Sequence, residues 1–231
     1  MTNRMMESWG LPPEAAAELV AGMEAVRETY ANADDPTQPV LGRDEQPVQW
    51  RRETRPPLPA TTAHPARVDD AYARAGPARR LMFAEPLSGV RPATARPQRT
   101  TVDGALEVAH VRDTRDAACA RITLVCDHLN PHPKGACYEA FEPDRARAYR
   151  RRIEFCDTPT HGRWLHIAAG ELTWMTSQCL RGRRLGEVDQ LQAELRLWSE
   201  TTNATPRGVD WPFQIDAARQ KLKRLYPIIK T

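Results

Sequence analysis

The stretch RITLVCD, residues 121–127, is the clearest strand signal in the chain. It is short, apolar and rich in β-branched side chains, as is typical of a buried strand. It ends on Asp127, and a carboxylate at that point lies at the carboxyl edge of a sheet, where α/β proteins place their ligand sites. The segment therefore predicts a buried strand and a candidate site residue, although an aspartate here could also serve as a turn or capping residue.

Helices and shorter strands are predicted on both sides of this segment. Apolar periodicity predicts helices over 14–30, 101–111, 164–180, 187–202 and 216–226, a short one near 138–141 and a basic one over 143–152. Strands are predicted over 40–46 and 153–156, a hairpin of strands 68–75 and 80–85 around Gly76 and Pro77, and an extended loop over 50–65. Because turns and helical crossovers both connect the strands, we expect an α/β fold with a mixed β-sheet flanked by helices and extra C-terminal helices.

The composition is that of an ordinary globular protein. The chain has 231 residues, of which 41% are hydrophobic and 27% charged, enough for one domain with a substantial core. No apolar run approaches the length of a membrane helix, and residues 1–10 lack the apolar core of a secretory signal, so we expect a cytoplasmic protein without a membrane partner. The five cysteines are odd in number and lack a paired spacing, which favours free thiols.

The positive charge is clustered rather than large. A net charge of +3 does not by itself indicate nucleic acid. Three basic clusters stand out: Arg145, Arg147 and Arg150 to Arg152; Arg181, Arg183 and Arg184; and Lys221, Lys223 and Arg224. Such clusters can neutralise phosphates, but arginines on solvated helix faces are the commoner explanation. They permit DNA binding without establishing it.

An ordered set of segments resembles one protein family. The segments are LPPEAAAELVAGMEAV, DEQPVQ, LMFAEPLSGVR, ITLVCDHLNPH, YEAF, IEFCDTPTHGRWL, QCL with the RGRR that follows, and VDWPFQIDAARQKLKRLYP. Together they resemble the DDE-superfamily transposases of bacterial insertion sequences related to mariner elements. The resemblance implies an RNase H-like catalytic domain over 37–231 after a helical lead-in over 1–36. We expect the helix-turn-helix DNA-binding domain that precedes this domain in the family to be absent.

The resemblance also implies a reaction. In such enzymes three carboxylates hold two magnesium ions, which activate a water or 3′-hydroxyl nucleophile and stabilise the leaving oxygen of a phosphodiester. It therefore implies DNA cleavage and strand transfer at insertion-sequence ends, with Mg²⁺ or Mn²⁺ as the cofactor. The implied partners are DNA at the transposon ends and a second copy of the chain in a homodimer.

Two of the three carboxylates match the family pattern. Asp44, at the end of the predicted strand 40–46, matches the first, and Asp127 matches the second. Both are expected to be catalytic metal ligands. Side chains alternate along a strand, so Glu45 should point away from the face of Asp44. Without the resemblance, Asp44 would be interpreted as a plain turn aspartate.

The third carboxylate is missing. The family has Trp-Leu-Asn followed by a metal-binding Glu on a helix, whereas this chain has His166 in place of the Asn and Ala169 in place of the Glu. Glu171 matches a separate family position, and at about 100° per helical residue it should point some 200° away from Ala169. We expect Glu171 to be a surface or supporting residue rather than a substitute ligand.

Further departures suggest a truncated or degenerate copy. Gly42 and Arg43 interrupt the first strand, where a glycine weakens pairing and a charge is costly to bury, and Arg163 replaces a small residue of the family. Whether the chain is an enzyme therefore stays open. It could still cleave DNA, it could be an inactive remnant that binds DNA or a full-length transposase, or its gene could be decaying without a selected role.

Two rival sites have weaker support. Cys126, His128, His132 and Cys137 could suggest zinc, but their spacing is not one of the compact structural-zinc patterns. Cys156 and His161 could suggest a nucleophile and its base, yet nothing in the sequence identifies an orienting third group or an oxyanion site.

Overall fold

A computed structural model describes residues 16–97, 119–127, 135–209 and 214–228, together with Val102, Ala105, Leu106, Ala109 and Asp113. The helix predicted over 101–111 falls mostly outside the described residues. None of the described helices is long and apolar enough to cross a membrane.

A mixed sheet of five strands forms the centre of the described structure, in the order β3-β2-β1-β4-β5. The strands are β1 Val40–Glu53, β2 Tyr72–Ala84, β3 Ala93–Arg96, β4 Ile122–Asp127 and β5 Ile153–Thr158. β1, β2 and β3 pair antiparallel, whereas β4 pairs parallel with both β1 and β5. The strand predicted at RITLVCD is thus confirmed as β4, an interior strand that pairs in parallel on both sides, and the mixed α/β fold is confirmed.

Helices flank this sheet. They are α1 Ala17–Ala31, α2 Ala136–Ala140, α3 Pro143–Arg152, α4 Ile167–Met175, α5 Val188–Asn203 and α6 Ile215–Lys221, with a π-helical turn at Thr176–Leu180 and 3-10 turns at Arg163–Leu165 and Lys223–Leu225. α4 packs against β1 and β2, α5 against β3, and α1 against β5. Apolar side chains of α4 and α5 meet Trp50, Met82 and Ala84 of the sheet in one buried cluster, which is the main source of stabilising apolar burial on this face.

The predicted hairpin around Gly76 and Pro77 is wrong. Residues 72–84 form one continuous strand, and its long antiparallel partner is β1. The pairing register shifts between Trp50 and Arg51 opposite this point, and Gly76 has a φ of 119°. A glycine at positive φ lets a bulged strand bend without reversing, so a turn signal marks a bulge here.

The loop predicted over 50–65 is wrong at its start, because β1 continues to Glu53. Trp50 is buried in the main cluster under α5. The helix predicted over 164–180 also needs correction: a 3-10 turn ends at Leu165, His166 has an extended backbone, and α4 begins at Ile167. Tertiary packing overrides local composition at both places.

Gly42 allows α4 to approach β1 closely. A Cβ atom built on Gly42 would lie 3.3 Å from the Cβ of Ala168 and 3.5 Å from its backbone nitrogen. Ala168 itself is fully buried. The glycine expected to weaken the strand therefore serves as the contact point between β1 and the first turn of α4.

Replacing Gly42 with Val should lower the free energy of unfolding by about 1–3 kcal/mol, because the added methyl groups would overpack the contact with Ala168. Gly170 offers a contrast on the same helix, since a Cβ there would meet nothing within 4 Å. Gly170→Ala should therefore stabilise the protein by roughly 0.5–1 kcal/mol. Urea unfolding of both variants measures the difference, and a neutral or stabilising Gly42→Val would contradict the close approach.

Candidate functional site

Asp44 and Asp127 lie side by side on neighbouring parallel strands. The register of β1 and β4 pairs Gly42 with Val125 and Arg43 with Cys126, so the two aspartates are the next residues on each strand. Side chains at matched positions of paired strands project to the same face. β4 ends at Asp127, but β1 continues beyond Asp44 to Glu53, so Asp44 lies within its strand rather than at its end as expected.

The carboxylate of Asp44 is buried and only partly satisfied. The residue is 3% exposed. Its Oδ1 accepts a hydrogen bond of 2.8 Å from the backbone N–H of Glu45, whereas its Oδ2 has no hydrogen-bond partner among the described residues. A guanidinium nitrogen of Arg163 and Nδ1 of His166 each lie 3.9 Å from this oxygen. A buried anion without a full set of donors favours a nearby cation.

His166 borders both carboxylates but does not supply that cation. Burial lowers the pKa of His166 below its usual value of 6.5, although the charges of Asp44 and Asp127 act to raise it. Its imidazole is therefore neutral at pH 7. Arg163, which is 68% exposed, is the charged group that faces Asp44 from the turn before α4.

Glu45 points away from Asp44, as expected from strand alternation. On the opposite face it forms ion pairs with Arg43 at 3.4 Å and with Arg79 at 3.2 Å. The charge of Arg43, which sequence reasoning identified as a burial problem, is thus buried together with a carboxylate. The pairing offsets part of its desolvation cost.

Ala169 stands where the resemblance implies a third carboxylate, and its side chain is a single methyl group. Ala169 lies in the first turn of α4 and is half-buried. Its backbone N–H donates a hydrogen bond of 3.1 Å to the carbonyl oxygen of His166, so Ala169 belongs to the same turn as a residue that borders Asp44. Among the residues that the structure describes, no group of three His, Cys, Asp or Glu side chains could hold a metal ion.

Glu171 pairs with Arg91. Its two carboxylate oxygens accept hydrogen bonds from Nε of Arg91 at 2.6 Å and from NH2 of Arg91 at 3.0 Å. Both side chains are largely buried, with 14% and 8% of their surface exposed. Such a two-point pair fixes the carboxylate, and the supporting role expected for Glu171 agrees with this geometry.

The donor set suits a divalent cation only in part. Carboxylate oxygens are the ligands that Mg²⁺ and Mn²⁺ prefer, and the orphan Oδ2 of Asp44 is a suitable donor. Two carboxylates without a third, beside the guanidinium of Arg163, do not complete a site for two ions. We therefore derive no chemical step through a pair of metals.

The rival sites gain no support from the described residues. His128 and His132 lie outside them, and burial raises the pKa of the Cys126 thiol to about 12. Burial likewise raises the pKa of Cys156, whose sulfur lies 3.6 Å from the hydroxyl of Thr29. A thiol that stays protonated is a poor metal ligand and a poor nucleophile.

The basic clusters are partly occupied by internal contacts. Arg183 pairs with Glu194, and Arg184 with Glu53 at 2.9 Å. On α3, Ala146 and Tyr149 form the buried side. Arg145 donates a hydrogen bond to the hydroxyl of Tyr149 and pairs with Asp113 at 3.5 Å, whereas Arg147 and Arg151 are exposed. The solvated face expected as the simpler explanation is therefore present on α3, and it remains available to phosphates.

Sequence reasoning missed two functional contacts. It did not identify Arg91 as the partner of Glu171, since the two residues are 80 positions apart and no local pattern links them. It noted His166 and Arg163 as departures from a family pattern but did not place both beside Asp44. Both residues lie in the turn that directly precedes α4, and this closeness in sequence could have indicated that they lie together.

Comparison with solved structures identifies proteins of similar fold, whereas sequence comparison does not. No protein-family model matches the chain, and no curated protein matches it in sequence. The solved mariner Mos1 paired-end complex with Mg is similar with a TM-score of 0.58 at 10% identity, over 98% of this chain and 68% of that one. The Mos1 transposase paired-end complex with left transposon end gives a TM-score of 0.50 at 11% identity, over 96% and 66%.

The chain has an RNase H-like fold. Its mixed five-stranded sheet flanked by helices agrees with these transposase structures, so the fold expected from the resemblance is confirmed. The chain spans only about two thirds of the length of these structures, 66% and 68%. At such low identity the likeness concerns the fold alone.

Proposed function

We propose that this chain is a transposase-type domain that acts on DNA, and that its capacity for divalent-cation-dependent cleavage and strand transfer is severely weakened. Asp44 and Asp127 are the proposed metal ligands and catalytic residues, with Mg²⁺ or Mn²⁺ as the cation. The cation, when bound, would supply charge stabilisation for phosphodiester chemistry. In this chain two carboxylates would hold it, with His166 and Arg163 each 3.9 Å from Asp44.

The observation that carries the proposal is the matched position of Asp44 and Asp127 on adjacent parallel strands of an RNase H-like sheet. The carboxyl ends of such strands are where this class of fold forms ligand sites. The similar solved structures are complexes of a transposase with transposon ends, and one of them contains Mg. Those facts concern that protein, and they support the same class of substrate here.

A second candidate function is binding without cleavage, to DNA ends or to a full-length transposase. It is favoured by Ala169 in the third position and by the pairing of Glu171 with Arg91. The exposed arginines of α3 offer a surface for phosphates. In this case the two aspartates would be remnants of a site that no longer turns over.

Asp127→Asn is expected to weaken Mn²⁺ binding and to abolish any Mn²⁺-dependent nicking of supercoiled plasmid DNA. Loss of a direct ligand should cost at least the roughly 10–100-fold measured for changes in supporting residues. Electron paramagnetic resonance counts free Mn²⁺, and gel electrophoresis follows nicking over long incubations.

Asp216→Asn is the matched control, because it removes the same charge from a side chain that is 91% exposed. It should change neither measurement. Nicking by the wild type that disappears in Asp127→Asn supports residual cleavage. If wild type and Asp127→Asn retain DNA equally on a gel and neither nicks it, the result supports the binding function. Equal nicking by wild type and Asp127→Asn would exclude the aspartate site as its source.

A further inference from the structure

A cavity lies at the far end of α4 from Asp44. Its volume is about 540 Å³, and it is bordered by the outer half of β1, the π-helical turn after α4, and residues 182–185. Cavities of roughly 300–1,000 Å³ are of the size that binds small organic ligands. It shares no lining residue with the site around Asp44.

Arg80 lines this cavity and carries an uncompensated charge. It is 5% exposed. Its guanidinium donates hydrogen bonds to the side-chain oxygens of Thr176 at 2.7 Å and Gln46 at 2.5 Å, both of them neutral groups. Its Nε–H is buried without a hydrogen-bond partner, and no carboxylate among the described residues pairs with Arg80. A buried cation without a counter-ion is costly, and an anion in the cavity would offset that cost.

The other charges at the cavity have the same sign. Arg51, Arg183 and Arg184 line it together with Arg80, and no acidic residue is among its described lining residues. Arg183 and Arg184 are neutralised by carboxylates behind them. Arg51 instead stacks on the ring of Tyr72, with its guanidinium carbon 4.6 Å from the centroid. The cavity therefore keeps an excess of positive charge.

Trp50 adds a second unused donor and an apolar wall. It lines the cavity, is 4% exposed, and its indole N–H is buried without a hydrogen-bond partner. Two unpaired N–H donors beside arginines match a group with several acceptor oxygens. An aromatic wall next to them favours a planar ring attached to that group.

We propose that this cavity binds a phosphorylated ligand of nucleotide size, with Arg80 and Trp50 directed at the phosphate oxygens. The phosphate belongs either to a free nucleotide or to a single-stranded DNA segment. The site is independent of the metal-dependent function proposed above, because it lies beyond α4 and uses none of the same residues.

Binding is tested on the full chain by calorimetry with inorganic phosphate, thymidine 5′-monophosphate and a short oligothymidylate, each without divalent metal. Wild-type protein should bind the nucleotide or the oligothymidylate, and should melt at a higher temperature in their presence. Arg80→Met should weaken this binding by about 10-fold or more, since a charge-assisted contact is lost. Tighter binding of the oligothymidylate than of the nucleotide assigns the site to DNA, and equal binding assigns it to free nucleotides.

Arg183→Met is the matched control, because it removes an arginine of the same cavity that already pairs with Glu194. It should weaken binding by less than about fivefold. If Arg80→Met fails to melt cooperatively, Arg80→Lys replaces it and should still bind less tightly than Arg183→Met. Absence of binding to all three probes, or equal losses in the Arg80 and Arg183 variants, would overturn the proposal.

Discussion

Chains that carry Ala169→Glu together with Arg163→Ala should nick DNA at least about 10–100-fold faster in Mn²⁺ than the wild type. Ala169 lies on α4 three residues after His166, which borders Asp44. A glutamate there is expected to extend toward the two aspartates, because the backbone N–H of Ala169 is hydrogen-bonded to the carbonyl oxygen of His166 in the turn that borders Asp44. The variant would then present the three carboxylates that metal-dependent phosphodiester chemistry needs.

Arg163 is included because it already occupies the neighbourhood of Asp44. Its guanidinium lies 3.9 Å from the carboxylate oxygen that has no hydrogen-bond partner. A positive charge at that distance repels a divalent cation and competes for the same oxygen. The single variants Ala169→Glu and Arg163→Ala should therefore each show smaller gains than the double variant.

Two additional proteins make this experiment decisive. Ala169→Gln with Arg163→Ala has the same shape without the carboxylate and should stay as slow as Arg163→Ala alone. Asp127→Asn in the double variant should remove the gain. If wild-type protein already nicks DNA as fast as the double variant, the third position is not limiting, and the weakened-site proposal is wrong.

The strand β4 and its carboxylate could be predicted because their signals are local. Residues 122–126 are mostly apolar and β-branched and are followed directly by Asp127, a pattern typical of a buried interior strand. Asp44 was harder to predict, because β1 extends beyond it to Glu53 with a mixed burial pattern. Only the resemblance to a family, not the pattern of its neighbours, singled it out.

The errors arose where distant residues determine the local structure. Gly76 and Pro77 have the composition of a turn, yet pairing with β1 keeps them within one strand through a bulge. Gly42 was expected to weaken its strand. Its role is instead to leave room for Ala168, which lies far along the chain. Neither fact has a local signature, since each arises from packing between separate elements.

Glu171→Ala should lower the free energy of unfolding by about 3–5 kcal/mol, because it would leave the guanidinium of Arg91 buried without its anion. Arg91 is only 8% exposed, and apart from Glu171 its guanidinium donates a hydrogen bond to the backbone oxygen of Gly89, while the side chain of Asn203 accepts only from the backbone N–H of Arg91. Those contacts are neutral groups and cannot balance its charge. Urea unfolding monitored by circular dichroism measures the loss.

The matched control is Glu194→Ala, the same substitution within a helix. Glu194 also pairs with an arginine, Arg183, but that pair is 30% and 44% exposed. Water can solvate both charges when the pair is broken, so the cost should stay below about 1 kcal/mol. The difference between the two variants then reports burial rather than helix propensity.

The same pair of variants decides what Glu171 does. If its role is to hold Arg91, Glu171→Ala weakens the fold and leaves Mn²⁺ affinity unchanged at temperatures where the protein is folded. Arg91→Met with Glu171→Ala should then cost less than the sum of the single changes, because no buried charge remains unpaired. A variant that unfolds normally but loses Mn²⁺ would instead make Glu171 the missing third ligand. That result would require α4 to rotate from its present position, since the glutamate now points to Arg91.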